Sequence, residues 1–357
     1  MRTARRFLAR AVLSGALLSA GCSAQEAPHH PGAPAARVYV SDETAGTVAV
    51  VDPATGAVEH RIPVGKRPRG IRLSRDGRQL FVALSGSPIA PPGVDESTLP
   101  PPDRAADGIG VVDLASHTLV RTYPSGQDPE AFDLSLDGTR LFVSNEETAE
   151  MSVLDLATGA IVSRVAVGEE PEGVTVRPDG RVVYVTCESD DTVVAVDTAT
   201  LAVVARIPTA RRPRSIEFTP DGATMFVTGE NSFAVSVVDV ASHAVSYNIF
   251  LGGSEAAAGP PRPMGAVLSP DGRTLYVSNG RGRSVSVIDV ASRRVTRTLA
   301  DVGARPWGIG VSPDGRQVYT ANGPSGDVSV IDAASGRVVR RVEVGGSPWG
   351  IAVAPMR

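Results

Sequence analysis

Seven times in this chain an aliphatic residue and an aspartate stand together ahead of a turn. The pairs are Val51-Asp52, Val112-Asp113, Leu154-Asp155, Val196-Asp197, Val238-Asp239, Ile288-Asp289 and Ile331-Asp332. The aspartates are spaced 61, 42, 42, 42, 50 and 43 residues apart. Self-similarity at such a period signals stacked supersecondary units, each able to bury its apolar faces only against its neighbours. Few architectures are open to a chain built this way.

Residues 171–209 show one unit plainly. Gly173 to Arg177 alternates apolar residues and leads into Pro178-Asp179-Gly180. Pro presets a turn dihedral there, and Asp-Gly is expected to supply the positive-φ positions of a tight hairpin. Val182 to Thr186, Thr192 to Val196 and Val203 to Ile207 follow, each rich in β-branched residues and bounded by turn formers. These four strands are A, B, C and D in order. Several are apolar at both alternating positions, which suits sheets covered on both faces. The β-branched content and hairpin signals exclude helical repeats of similar period. About seven four-stranded antiparallel units make an all-β, seven-bladed β-propeller over residues 37–357. The chain opens on a strand B (Val38 to Ser41) and closes on a strand A (Gly350 to Val353). The last strand is therefore expected to complete the first blade and shut a monomeric ring.

Residues 1–21 read as a leader. Arg2, Arg5, Arg6 and Arg10 precede an apolar run, Ala11 to Ala20, that is too short to span a bilayer. Leu18-Ser19-Ala20-Gly21-Cys22 resembles a bacterial lipobox, with Cys22 as the lipid-bearing N-terminus after cleavage. An ordinary secretory signal is the alternative. The small, Pro-rich residues 22–36 read as a flexible tether, on the order of 20 Å in span. Its His29-His30 pair is expected to be solvated. Loss of four arginines takes the net charge from −4 to −8, which argues against nucleic acid or anionic headgroups as partners. Membrane contact would come through the lipid alone, with the protein exported to the periplasm or outer membrane. Only Cys187 would remain besides Cys22, so no intramolecular disulfide framework is available. Stability must come from burial, for which about 320 residues are ample.

Tyr39-Val40-Ser41-Asp42, Tyr276-Val277-Ser278-Asn279 and the Ser-Pro-Asp-Gly turns at 269–272 and 312–315 resemble the YVTN-repeat propellers of bacterial surface and periplasmic proteins. A narrower resemblance lies in Ser85-Gly86-Ser87-Pro88-Ile89-Ala90-Pro91-Pro92, Gln127-Asp128-Pro129-Glu130-Ala131-Phe132 and Ser144-Asn145-Glu146-Glu147-Thr148-Ala149. These are similar to propellers associated with PQQ-dependent alcohol catabolism. That resemblance implies an accessory or binding role beside a quinoprotein dehydrogenase and its cytochrome, and it carries over no catalytic residue.

Both irregular intervals fall on one rim, called the top. A long B-to-C loop, Leu84 to Gly108, accounts for the 61-residue interval, and a longer D-to-A loop, Gly252 to Arg262, for the 50-residue one. Insertions in repeat proteins gather on the binding face. The first loop carries Pro88, Pro91, Pro92, Pro100, Pro101 and Pro102 with Asp95, Glu96 and Asp103, a composition that favours extended recognition segments. Strand A opens on Pro-X-Gly or a near variant in every blade. The X residues, expected around the channel mouth, are Arg69, Glu130, Glu172, Arg214, Met264, Trp307 and Trp349. Behind them come Arg67, Asp128, Glu170, Arg212, Arg262 and Arg305, and the B-to-C loops add Glu146, Glu147, Glu188, Glu230, Asn279 and Asn322. One arc of the mouth is charged and the other apolar-aromatic, which suits a ligand of both characters. Mutual neutralisation of Arg and Glu on adjacent blades is the competing, purely structural reading.

No catalytic constellation stands out. His60 falls in an outer strand, and His117 and His243 fall in bottom turns, which argues against zinc hydrolysis and histidine-based nucleophilic catalysis at the top. There is no haem-attachment, phosphate-loop or dinucleotide motif, so no cofactor or metal site is expected. A Ca²⁺ ion among Glu146, Glu147, Glu188 and Glu230 is the exception to weigh, against a solvated acidic rim. Three function classes follow: a non-catalytic binding or scaffold propeller, a lactonase-like hydrolase, and a cell-envelope adhesion protein. The hydrolase would use Arg69 or Arg214 for an anion and Glu130 or Glu172 as base.

Overall fold

The computed structural model describes residues 36–89, 94–95, 98–252 and 259–355. Cys22, the leader, the tether with its histidine pair, Pro91, Pro92 and Glu96 lie outside the described residues. Within them the chain forms seven four-stranded antiparallel sheets, the seven blades of the expected ring. Blade 4 is representative, with strands Pro171–Val176, Val182–Cys187, Thr192–Asp197 and Val203–Pro208 running from the channel outward. Blade 1 pairs Ala36–Asp42 with Pro348–Pro355, in register Ala36↔Pro355 through Val40↔Ile351. The two ends of the ring are therefore joined by a backbone ladder.

The repeat aspartate is a turn cap. In each blade its carboxylate closes the C-to-D turn by accepting backbone N–H and hydroxyl donors two to three residues on. Examples are Asp155 with Thr158 N and Oγ1, both at 2.8 Å, and Asp289 with Ser292 N at 2.8 Å and Oγ at 2.6 Å. These local bonds make the motif necessary in every blade. They also hold the exposed Asp155 and Asp289 carboxyls below their usual range. The A-to-B hairpins differ from expectation in one detail. Only the glycine takes positive φ (Gly180 at 75°, Gly272 at 69°), while the aspartate before it accepts N–H groups of the turn.

Packing follows the apolar pattern. Phe142, Met151 and Val153 of blade 3 meet Val174, Val183, Val185 and Val194 of blade 4, all buried, and similar clusters fill the other seams. Burying one such side chain contributes about 1.5–3 kcal/mol. Outer strands are half exposed, as edges of a ring must be, and His60 on one of them stacks on His117 of the next blade's C-to-D turn, with 3.8 Å between ring centroids.

A second stitch was not legible in the repeat. A strand B hydroxyl donates to the carbonyl of the X residue in the next blade. The bonds are Ser41 to Arg69 (2.6 Å), Ser144 to Glu172 (2.6 Å), Thr186 to Arg214 (3.2 Å), Thr228 to Met264 (2.7 Å) and Ser278 to Trp307 (2.6 Å). Glycine at the following position of strand A, in every blade but 3 (Ala131) and 5 (Ser215), lets the inner strands close up. A Cβ on Gly173 would stand 2.2 Å from the Arg214 carbonyl oxygen. The ring thus fixes the backbone of the mouth residues directly.

Candidate functional site: the channel mouth

The residues that precede strand A prepare the mouth. Arg67, Asp128, Glu170, Arg212 and Arg305 all hold left-handed backbone, with φ of 41–57°. Each such conformation costs a non-glycine residue of order 1–3 kcal/mol. In three blades the carbonyl so turned receives the first N–H of the B-to-C loop: Asp128 from Glu146 (3.1 Å), Glu170 from Glu188 (3.0 Å) and Arg212 from Glu230 (3.0 Å). This places the three loop glutamates over the X residues.

Two arginines then gather the carboxylates. Arg69, 2% exposed, is ion-paired with Asp128 and Glu130, lies 3.3 Å from Glu146, and donates to the Pro129 carbonyl at 2.9 Å. Arg214, 9% exposed, is ion-paired with Glu172 and Glu188 and donates from Nη2 and Nε to Glu230 at 2.8 and 2.9 Å. Arg67 supports the first group through Glu43 (2.8 Å), and Arg212 the second through Glu188 (2.7 Å). Burial pushes the Asp128, Glu146, Glu188 and Glu230 carboxyls upward, and the cations oppose it. The cations win at Asp128 and Glu230, held below the usual range, whereas burial wins at Glu146 and Glu188. Glu146 keeps about a third of its side chain exposed, so a carboxyl of raised pKa faces the top.

The apolar arc is equally built. Trp307 and Trp349 pack with ring centroids 5.4 Å apart and planes at 32°, and Met264 is buried beside them. The guanidinium groups of Arg214 and Arg305 lie 5.2 and 4.7 Å from the Trp307 ring, within cation–π range. Arg305, expected behind the mouth, thus lies against the Trp307 ring. Below the mouth lies a cavity of about 390 Å³, on which Glu172, Arg214, Met264, Trp307 and Trp349 open. Arg69 and Glu130 are sealed away from it.

The loop residues divide. Glu147 leaves the mouth for the long loop, accepting from Ser87 Oγ at 2.9 Å and pairing with Arg104. Asp103 pairs with Lys66 at 2.7 Å, and Asp95 caps Thr98 by its carbonyl. The loop is therefore pinned at both ends to blades 2 and 3. Asn279 and Asn322 do not face the mouth. They turn into their own blades, Asn279 donating to Ser284 and Ser286, Asn322 to Asp327, Ser329 and the Val302 carbonyl. Glu146, Glu147, Glu188 and Glu230, the candidates for Ca²⁺, are divided among three arginines: Arg69 takes Glu146, Arg104 takes Glu147, and Arg214 takes both Glu188 and Glu230.

Comparison with known proteins agrees with the ring. Residues 30–203 match the choice-of-anchor I domain, 164–246 the lactonase seven-bladed β-propeller, and 264–355 the YNCE-like β-propeller, each less than half of the chain. One curated relative, Antigen Lp49 of Leptospira interrogans, is 28% identical over 109 residues, which is 30% of this chain and 23% of that protein's length. Among solved structures, the periplasmic gluconolactonase of Pseudomonas aeruginosa aligns with a TM-score of 0.71 at 23% identity, over 90% of this chain and 99% of that one. A putative 6-phosphogluconolactonase from Bacteroides fragilis gives 0.70 at 16%, over 90% and 98%. Kuenenia stuttgartiensis hydrazine synthase gives 0.66 at 21%, over 81% and 95%. Likenesses at this identity show the fold. The chain is a seven-bladed β-propeller with local likeness to the YNCE-like and lactonase-type propeller families.

Proposed function

We propose that this chain is a binding propeller of the bacterial cell envelope whose top mouth receives a ligand or a partner's protruding group. The observation that carries the reading is the enclosure of Arg69 and Arg214. Each is nearly buried and surrounded by three carboxylates, so neither offers its charge to an anionic substrate, and Glu130 and Glu172 are tied up as their partners. Breaking such a buried pair costs about 3–5 kcal/mol, which makes the charged arc a rigid rim. Trp307 and Trp349, half-buried on the facing arc, are anchors of the kind that dominate binding surfaces.

The finer reading is an accessory role in PQQ-dependent alcohol oxidation, supported by the resemblance of the 85–92, 127–132 and 144–149 segments. The partner would then be a quinoprotein dehydrogenase or its cytochrome, and a lipid on Cys22 would tether the protein to the membrane. Titrating the immobilised full chain with a purified PQQ-dependent alcohol dehydrogenase and its c-type cytochrome tests this. Binding should be lost with Trp349→Ala or Ile89→Asp on the top and retained with Leu136→Asp in a bottom turn. Absence of binding, or equal loss with Leu136→Asp, would sink the reading.

Lactone hydrolysis is the second reading, favoured by Glu146, whose raised pKa and partial exposure suit a proton donor. Turnover of glucono-δ-lactone above the buffer rate, abolished by Glu146→Gln, would establish it. Turnover that survives that substitution would remove Glu146 from the role.

A further inference from the structure

The division of the mouth into polar and apolar arcs continues down the channel. Three residues beyond each X position, the inner strands of blades 2 to 5 carry Arg72, Asp133, Thr175 and Glu217, and those of blades 6, 7 and 1 carry Val267, Gly310 and Ala352. The four polar side chains each bind backbone of a neighbouring blade. Arg72 donates to the Phe132 carbonyl (2.8 Å), Asp133 accepts from Val176 N–H (2.8 Å), Thr175 donates to the Ile216 carbonyl (3.2 Å), and Glu217 accepts from Leu268 N–H (3.1 Å). Arg72, Thr175 and Glu217 line the same cavity as the two tryptophans, and among the described residues blades 6, 7 and 1 contribute to it, apart from those two indoles, only glycine and apolar side chains. Glu217 forms no ion pair with Arg72, and only one of its oxygens receives a hydrogen bond among the described residues. The other is left for an occupant of the shaft.

We propose that this shaft binds an uncharged ring compound with its hydroxyl on one edge, a phenol-like or alicyclic alcohol. Its apolar face lies on blades 6, 7 and 1, and its hydroxyl is donated to the Glu217 carboxylate. A sugar fits poorly, because hydroxyls on both edges would press some of them, unpaired, against the apolar wall. The volume of about 390 Å³ is at the small end of ligand cavities and suits one or two fused rings. This deepens the binding reading of the mouth and rests on it.

The test is calorimetric titration of the full chain with 2-naphthol and, for contrast, D-glucose. Burial pushes the Glu217 carboxyl up to about 7, with Arg72 opposing and Asp133 adding to the rise. The donated hydroxyl favours the ionised form, so 2-naphthol should bind roughly tenfold more tightly at pH 8 than at pH 6. Glu217→Gln keeps an oxygen for Leu268 N–H, and so keeps the seam. It should weaken 2-naphthol severalfold at pH 8 and abolish the pH dependence. No binding of 2-naphthol, unchanged pH dependence in Glu217→Gln, or equal affinity for D-glucose would overturn the proposal. Partner capture at the mouth without any 2-naphthol heat would sink the shaft site and leave the mouth reading standing. Binding of 2-naphthol with no partner capture would do the reverse.

Discussion

Ser41 Oγ donates a hydrogen bond to the Arg69 carbonyl at 2.6 Å and accepts one from Gly350 N–H at 2.9 Å. One hydroxyl thus joins strand B of blade 1 to the C-terminal strand that closes the ring and to the first charged residue of the mouth. Ser41→Ala leaves two buried backbone groups without this partner. It should destabilise the protein by about 1–3 kcal/mol, read as a lower denaturation midpoint at unchanged slope.

Arg214 holds three carboxylates in a nearly dry site. Arg214→Met should cost about 3–5 kcal/mol at neutral pH. The uncompensated Glu172, Glu188 and Glu230 would then have raised folded-state pKa values, so the deficit should shrink as pH falls. Denaturation of both proteins at pH 5 and pH 8 checks this, and a deficit that grew on acidification would contradict it.

Glu217 sets a pH slope. Its folded-state pKa, about 7, lies above the ordinary 4.5, so its contribution is fully present below about pH 4.5 and lost as pH rises through 7. The shift corresponds to at most about 3 kcal/mol. The stability of the wild-type protein relative to Glu217→Gln should therefore decline between pH 4.5 and 7.5. A flat difference would place the carboxyl in contact with bulk water.

The long loop is pinned by an exposed pair. Arg104→Ala should change global stability by less than about 1 kcal/mol, since Arg104 and Glu147 are both about one-third exposed. Cleavage by a protease between residues 86 and 106 should nevertheless accelerate. An unchanged cleavage rate would show that the Lys66–Asp103 pair and backbone bonds suffice.

The ring was legible because one unit repeats. Asp52 to Asp332 mark the same turn seven times, and strand limits deduced for residues 171–209 fall within two residues of those observed. The closing ladder followed from the strand order at the two ends. The mouth was legible only as a set of positions. Sequence places Arg69 and Glu130 on the charged arc and Trp307 on the apolar arc of one mouth, without showing that the first two are sealed and the last is open to the cavity. That outcome depends on side-chain reach across blades, as when Arg214 crosses to Trp307. Asn279 and Asn322 were misplaced because their own blades offer hydroxyl partners at short range. Glu217 went unnoticed since its position varies from blade to blade and carries no motif, yet the run Arg72, Asp133, Thr175, Glu217 was there to be aligned.

The chain's only two tryptophans stand together where the mouth opens into the shaft, so their emission reports that region of the ring. Fluorescence titration with a purified quinoprotein dehydrogenase or its cytochrome, beside calorimetry on the same samples, tests the binding reading most directly. A saturable change in emission that follows the calorimetric isotherm and disappears with Trp349→Ala is the predicted result. Calorimetric binding that leaves the emission untouched, or no binding at all, would contradict it.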